Sequence, residues 1–252
     1  MVHLSVILPA YNEEKRIEKA VRSAAGFAAG LDFPAEVIVV DDGSRDETAA
    51  IVERVADEEP LVRIVRHEAN RGKGMAVRTG VLAADGAWAL FSDVDEAVPI
   101  GEAMALLAAA TEQGADVAIG TRYHRDSKIL RRQSWQRILV SRLGNLLIRA
   151  LLLPGLKDTQ CGFKLFRTST MRSVFDRVTV RGFGFDVEVL AIARSCGRTI
   201  IEVPVTWVHG EGSTLRLGPA ALDVLRDLLR TTWRIRTGFY TKHAGTDAGK
   251  HT

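Results

Sequence analysis

The strongest constraint on this chain is where its apolar runs stop. Leu4–Pro9 is a β-branched run closed by proline, and Glu36–Val40 leads straight into Asp41-Asp42-Gly43-Ser44. Val62–His67 reads as a third strand, Ala87–Ser92 as a fourth ending at Asp93-Val94-Asp95, and Ala115–Gly120 as a fifth. Between them, Glu13–Phe27, Thr48–Ala56, Gly72–Ala84 and Gly101–Gln113 have helical character. In the first, Ile17, Ala20, Val21 and Ala24 recur at helical spacing. This βαβα order predicts an α/β fold: a mostly parallel sheet with helices on both faces. Such sheets bind ligands beyond the carboxyl ends of their strands. Both acidic clusters stand at those ends.

Charge is sorted along the chain. Residues 1–116 carry 11 Lys/Arg against 21 Asp/Glu, a net of −10, while residues 117–252 carry 23 against 10, a net of +13. An acidic front and a basic back predict a cation-using site beside a surface that meets something anionic. The basic part is also amphipathic. From Arg122 to Arg149 a single acid, Asp126, stands among eight Lys/Arg residues, with Ile138, Leu139, Leu143, Leu146, Leu147 and Leu151 at helical spacing. Ala220–Tyr240 repeats the pattern, with Leu222, Leu225, Leu228, Leu229 and Trp233 on one side and Arg226, Arg230 and Arg234 on another. Leucine stripes without an aromatic stacking platform argue against nucleic acid as a partner.

At 252 residues and 46% hydrophobic, the chain can bury a sizeable core and is not a disordered or disulfide-stapled sequence. Its longest apolar runs fall well short of the ~20 residues that span a bilayer. No secretory signal is expected ahead of the first strand. Cys161 and Cys196 have neither metal nor disulfide spacing, which fits a reducing compartment. The tail over 241–252 is expected to be disordered.

Several chemistries are excluded by motif. Gly72-Lys73-Gly74 lacks the spacing and the Ser/Thr of a P-loop, and no G-x-G-x-x-G, G-x-S-x-G or H-E-x-x-H occurs. What remains is acidic. Two carboxylates two residues apart at a strand end, Asp93 and Asp95, can converge on one hard cation that also grips phosphate oxygens. The same residue types also cap helices and turn loops. Asp42 and the basic second half favour the cation.

Seven blocks, in order, carry a resemblance. Val6–Glu14, Val39–Ser44, Asn70–Gly74 and Asp93–Asp95 together resemble the inverting GT-A glycosyltransferases of family 2. Gly120–Tyr123, Asp158–Phe166 and Glu202–Trp207 narrow this to the polyprenyl-phosphate sugar synthases, above all the dolichyl-phosphate β-glucosyltransferase type. The resemblance implies a GT-A domain over 1–217, with a nucleotide-sugar half (1–121) and an acceptor half (122–217), followed by an amphipathic helix over 218–240. It implies a nucleotide pocket of Pro9, Tyr11, Glu13, Val40 and Asp42, with Asp42 reaching base or ribose. Asp93, Val94 and Asp95 would bracket Mg²⁺ or Mn²⁺ and the sugar diphosphate, and Arg122 and Arg216 would contact phosphate. Arg137 and Ser141 match positions that hold the acceptor phosphate in related mannosyl enzymes. Related enzymes carry a polar metal ligand where this chain has Ala97, so the third ligand stays open between Glu96 and His209.

The expected reaction moves a hexose from a nucleotide diphosphate sugar to polyprenyl phosphate with inversion. UDP-glucose is the favoured donor; GDP-mannose, another UDP-sugar or a soluble acceptor are the alternatives, and a non-catalytic nucleotide-sugar sensor is the alternative from another class. A phosphate monoester with second pKa ~6 is already a nucleophile near neutral pH, so no carboxylate base is required. The basic amphipathic segments, Gln133–Leu153 and Ala220–Tyr240, would meet an anionic membrane surface. A peripheral enzyme on the cytoplasmic face is expected; a separate membrane partner protein and a homo-oligomer stay open.

Overall fold

Strand β1 (Leu4–Ala10) is buried at every residue, the pattern of a strand covered on both faces. Around it lie β2 (Ala35–Asp41), β3 (Val62–Arg66), β4 (Trp88–Ser92), β5 (Val117–Thr121), β7 (Phe163–Arg167) and β8 (Ile200–Pro204) in one seven-stranded sheet ordered β3-β2-β1-β4-β7-β5-β8. A small second sheet pairs β6 (Lys128–Ile129) with β9 (Thr206–Trp207). The helices are α1 (Ile17–Ala29), α2 (Thr48–Glu58), α3 (Lys73–Ala83), α4 (Ala103–Glu112), α5 (144–151), α6 (Thr168–Phe175), α7 (Phe185–Ser195), α8 (Leu217–Arg236) and α9 (Phe239–Lys242). This computed structural model describes residues 2–129, 144–208 and 217–242.

The first five strands and four helices stand where periodicity places them, shifted by a few residues at their ends. Helix α1 is the largest shift: it starts at Ile17, because Glu13–Arg16 form a turn with Arg16 N and Ile17 N both donating to Glu13 O. Strand β7 departs from the parallel expectation. It runs antiparallel to both β4 and β5, and Phe163, its first residue, pairs with Ser92, the last of β4. The chain therefore enters β7 from the carboxyl edge of the sheet. That brings the Asp158–Phe166 block beside Asp93.

The second amphipathic segment is not one helix. Helix α8 stops at Arg236, and Gly238, at φ +67°, takes the left-handed turn that separates it from α9. Nor is it wholly a surface helix. Leu228, Thr231, Thr232 and Arg234 are buried, and a side chain at Gly184, which leads into α7, would come 2.7 Å from Asp227 of α8. Leu225, Leu229 and Trp233 point away from that seam and are 39%, 55% and 63% exposed. Of the first amphipathic segment, only 144–153 falls within the described residues. There Ile148 and Leu153 are buried while Leu146 and Leu147 are exposed. Among the described residues no helix is long and apolar enough to cross a membrane.

Candidate active site

Three loops at the carboxyl ends of β1, β2 and β3 build one wall of a cleft. The loops after β1 and β2 are stitched together. Asn12 N donates to Ser44 Oγ at 2.9 Å, Arg45 N to Asn12 Oδ1 at 2.9 Å, and Glu13 N to Thr48 Oγ1 at 2.7 Å. Asn12 sits at φ +54°, a conformation asparagine tolerates better than most residues. Asp42 holds the third loop. Its Oδ1 accepts from Arg71 N at 2.9 Å and its Oδ2 from Gly72 N at 2.7 Å, while His67 Nδ1 lies 2.7 Å from Oδ1. His67 Nε2 is in turn 2.9 Å from Thr79 Oγ1. Gly72 is required here: its φ is +96°, and a Cβ would stand 2.4 Å from Arg181 O.

The floor is the Asp93–Asp95 turn after β4. Asp93 N donates to Gly162 O at 3.0 Å, so β7 positions the turn. The fit is tight: a Cβ on Gly162 would come 1.9 Å from Asp93 Oδ2. Asp95 Oδ1 accepts from Ala97 N at 3.1 Å, and Val208 N donates to Ala97 O at 2.7 Å, clasping the far side of the turn.

Two cations face these carboxylates. Lys73 Nζ is 2.7 Å from Asp93 Oδ1 and lies over the rings of Phe91 and Phe183, at 5.3 and 5.4 Å. Burial opposes the charge on Lys73, but Asp93 and Asp186 outweigh it and raise its pKa. Arg16 bonds Glu13 through Nη2 at 2.9 Å; that bond, with Asp95 and Asp93 adding to it, raises Arg16. The resulting cavity is about 410 Å³ and is lined by Pro9, Ala10, Tyr11, Glu13, Arg16, Asp42, Asn70, Gly72, Lys73, Ala76, Asp93, Val94, Asp95, Gly182 and Phe183.

Burial raises the Asp95 carboxyl above its ordinary range, and Asp93 adds to the effect. Two carboxylates crowded this way, with Asp95 Oδ2 turned to no described donor, fit a divalent cation. Magnesium is commonly held by one or two protein carboxylates, with substrate phosphates and water completing the shell. Among the described residues no group of three His, Cys, Asp or Glu side chains is gathered for a metal.

Of the sequence-predicted nucleotide residues, Pro9, Tyr11, Glu13, Asp42, Asp93, Val94 and Asp95 meet in this one cleft. Val40 does not: its side chain is fully buried in β2, beneath the cleft. Glu96 is turned to Lys19, at 2.7 Å from its Nζ, rather than into the acidic pair. His209, Arg216, Arg137 and Ser141 lie outside the described residues, as does the tail beyond Lys242.

Arg122, expected to contact phosphate as a catalytic and acceptor-side residue, is not among the residues that line this cavity. Its Nε and Nη2 both bond Asp158, at 2.8 and 2.7 Å, and its backbone N donates to the same carboxylate at 2.9 Å. Asp158 is fully buried, and its own N donates to Glu202 Oε1 at 2.7 Å. Only Nη1 of the Arg122 fork is left over from this pairing. Asp158 is thus engaged in holding Arg122. Burial pushes the Cys161 thiol up to about 12, which disfavours a thiolate at that position. The two cysteines are free.

Arg16, Lys73 and Phe183 have no role in the motif reading. Lys73 was visible inside the Asn70–Gly74 block. Phe183 carried only a faint signal, an aromatic between Gly182 and Gly184 that is 43% exposed.

Residues 5–175 match the family described as glycosyl transferase family 2. A dolichyl-phosphate beta-glucosyltransferase of Dictyostelium discoideum is 32% identical over 95% of this chain and 76% of its own length. Those of Drosophila melanogaster and Homo sapiens are 36% and 33% identical, over 94% and 93% of this chain and 76% of each relative. Among solved structures, glucosyl-3-phosphoglycerate synthase from Mycobacterium tuberculosis, in complex with Mn²⁺, UDP-glucose and phosphoglyceric acid, superposes with a TM-score of 0.66. It is 23% identical and covers 92% of this chain and 80% of that one, a likeness of fold.

Proposed function

The chain belongs to glycosyl transferase family 2, and from that premise we propose that it transfers glucose from UDP-glucose to a polyprenyl phosphate, inverting the sugar to a β-linked lipid phosphosugar. One observation carries the reading: an open cleft whose floor is Asp93 and Asp95 and whose walls hold Lys73 and Arg16, built for an anionic ligand bridged by a cation. The dolichyl-phosphate glucosyltransferase relatives support the acceptor and the sugar.

Asp93 and Asp95 are the residues that would hold Mg²⁺ or Mn²⁺, which when bound neutralises the charge that develops on the departing diphosphate. The rest falls to the chain itself. Lys73 and Arg16 place positive charge at the diphosphate position without reorganising, since Asp93 and Glu13 already hold them. Tyr11, 41% exposed at the mouth, offers its ring to the nucleotide base. No side chain has to remove a proton, because the acceptor phosphate is already anionic near neutral pH. The task is to place that oxygen behind the anomeric carbon. Arg137, Ser141 and the remaining Nη1 of Arg122 are the groups assigned to the acceptor phosphate, and Arg216 to the diphosphate.

The acceptor is a lipid, so the enzyme works at a membrane surface, on its cytoplasmic face. The exposed stripe Leu225, Leu229 and Trp233 of α8, with Arg230 and Arg236 also exposed, suits the headgroup layer of anionic lipid.

A donor panel tests this. The full chain, with Mn²⁺ or Mg²⁺ and polyprenyl phosphate in detergent, is offered radiolabelled UDP-glucose, GDP-mannose, UDP-galactose and UDP-N-acetylglucosamine in turn. Label should enter the organic phase from UDP-glucose and stop on chelation. Labelling from GDP-mannose alone would overturn the sugar assignment, and chelator-resistant labelling would overturn the cation.

A further inference from the structure

Helix α8 carries the outward apolar stripe, and its inner face reaches a fully buried carboxylate, Glu188 of α7. Glu188 Oε2 accepts from Thr179 N at 2.8 Å and Val180 N at 2.7 Å, and Oε1 accepts from Thr179 Oγ1 at 2.7 Å. The same Oε1 accepts from Tyr240 Oη of α9 at 2.5 Å and lies 3.7 Å from Arg234 Nη1 of α8, which itself donates to Thr179 Oγ1. Both C-terminal helices therefore end on one carboxylate.

That carboxylate holds the irregular segment that becomes the lip of the cleft. One residue past Val180, Arg181 O accepts from Gly74 N at 2.7 Å; a Cβ on Gly74 would stand 2.4 Å from Val180 O. The next two residues, Gly182 and Phe183, line the cavity, and Phe183 covers Lys73, the partner of Asp93. Between Val180, which Glu188 holds, and Phe183, which covers Lys73, lie only Arg181 and Gly182.

We propose that Glu188 is a positioning residue that couples seating of α8 on an anionic lipid surface to closure of the donor lip, Gly182–Phe183, over the nucleotide sugar. The proposal rests on the donor and membrane reading given above. Anionic lipid suits the stripe because α8 combines exposed Leu225, Leu229 and Trp233 with the exposed cations Arg230 and Arg236, on a chain whose second half is net basic. Trp233 immediately precedes Arg234, so the residue that enters the interface and the residue that touches Thr179 are neighbours on one helix. Toward the cleft, Glu188 acts through Thr179 and Val180.

The test measures UDP-glucose affinity with Mn²⁺ by calorimetry, with the full chain. It is run without vesicles, with phosphatidylcholine vesicles, and with vesicles containing phosphatidylglycerol, none holding acceptor lipid; co-sedimentation is read on the same samples. Anionic vesicles should tighten donor binding by about fivefold or more, the lower end of ordinary coupling between linked sites. Leu229→Glu should lose vesicle binding and the tightening together. Tyr240→Phe, which removes one donor to Glu188 and keeps the ring, should keep vesicle binding and lose most of the tightening. Glu188→Gln should do the same, and because a buried substitution can cost folding, Tyr240→Phe carries the decision. Tightening that survives intact in Tyr240→Phe overturns the relay. So does a wild type that binds both donor and vesicles with no effect of one on the other, and that outcome leaves the proposed function standing. A wild type that binds no UDP-glucose removes the proposed function, and the relay with it.

Discussion

The two halves of this molecule hide opposite things. In the first, apolar residues of β1, β2 and β4 are buried without exception, and the charges Asp93, Asp95, Lys73 and Arg16 are left facing an open cleft. In the second, charges are sealed in pairs: Arg122 with Asp158, Lys164 with Asp186, and Glu188 with Tyr240 and Arg234. There the apolar side chains Leu146, Leu147, Leu225, Leu229 and Trp233 also meet solvent, the last three beside exposed Arg230 and Arg236. A half that exposes charge suits a soluble, multiply charged donor, and a half that exposes leucine and tryptophan suits a lipid. These pairs are neutral and leave the net charge of the second half unchanged, so its excess of cations stands outside them.

The contrast is open to test, most sharply at its sealed charges. Arg122→Ala strands the buried Asp158 carboxylate, and removing one partner of a buried pair costs about 3–5 kcal/mol. Urea unfolding should show that loss. A cost near the ~1 kcal/mol of a surface pair would mean that water reaches Asp158. On the open side, Asp95→Asn should lower transfer by roughly 10²–10³-fold, the range for losing one preorganised electrostatic contact, with the fold intact by circular dichroism. Unchanged kcat would remove the Asp93–Asp95 floor from the chemistry.

Gly162→Ala joins the halves, since its methyl would fall 1.9 Å from Asp93 Oδ2. A carboxylate can swing aside, so stability should change little. Displacement of about 1 Å at a reacting site can nevertheless cost about 10²-fold in rate. Equal losses of stability and rate would show instead that β7 itself is disrupted. Trp233→Glu should weaken binding to anionic vesicles by the roughly 1.5–3 kcal/mol that burying a large apolar side chain is worth. The smallest effect belongs to Arg230→Gln and Arg236→Gln, about 1 kcal/mol each at low salt, fading as salt rises. Vesicle binding that ignores all three substitutions would move the membrane face away from α8.

Much of the first half was legible because its signals are local. Each strand is one apolar run, and Asp42, Asp93 and Asp95 sit at strand ends within a few residues of it. Lys73 was in plain view but unassigned, because its role depends on Asp93 and Phe183, 20 and 110 residues away. The second half was harder for the same reason at greater range. Strand β7 has no periodicity that says antiparallel; its direction follows from entering the sheet beside Ser92. Arg122 looks like a phosphate ligand by residue type, and only the fold reveals Asp158 beneath it. Ala220–Tyr240 read as one amphipathic face because leucine spacing cannot separate Leu228, 3% exposed, from Leu229, 55% exposed, one position away.

The most direct measurement is a choice between acceptors. The full chain, with Mn²⁺ and radiolabelled UDP-glucose, is given polyprenyl phosphate and 3-phosphoglycerate together at equal concentration, and the label is partitioned between organic and aqueous phases. Label recovered in the organic phase as an acid-labile lipid phosphosugar is the predicted result. Label recovered as an aqueous glucosylated phosphoglycerate, with none in the lipid, would contradict it.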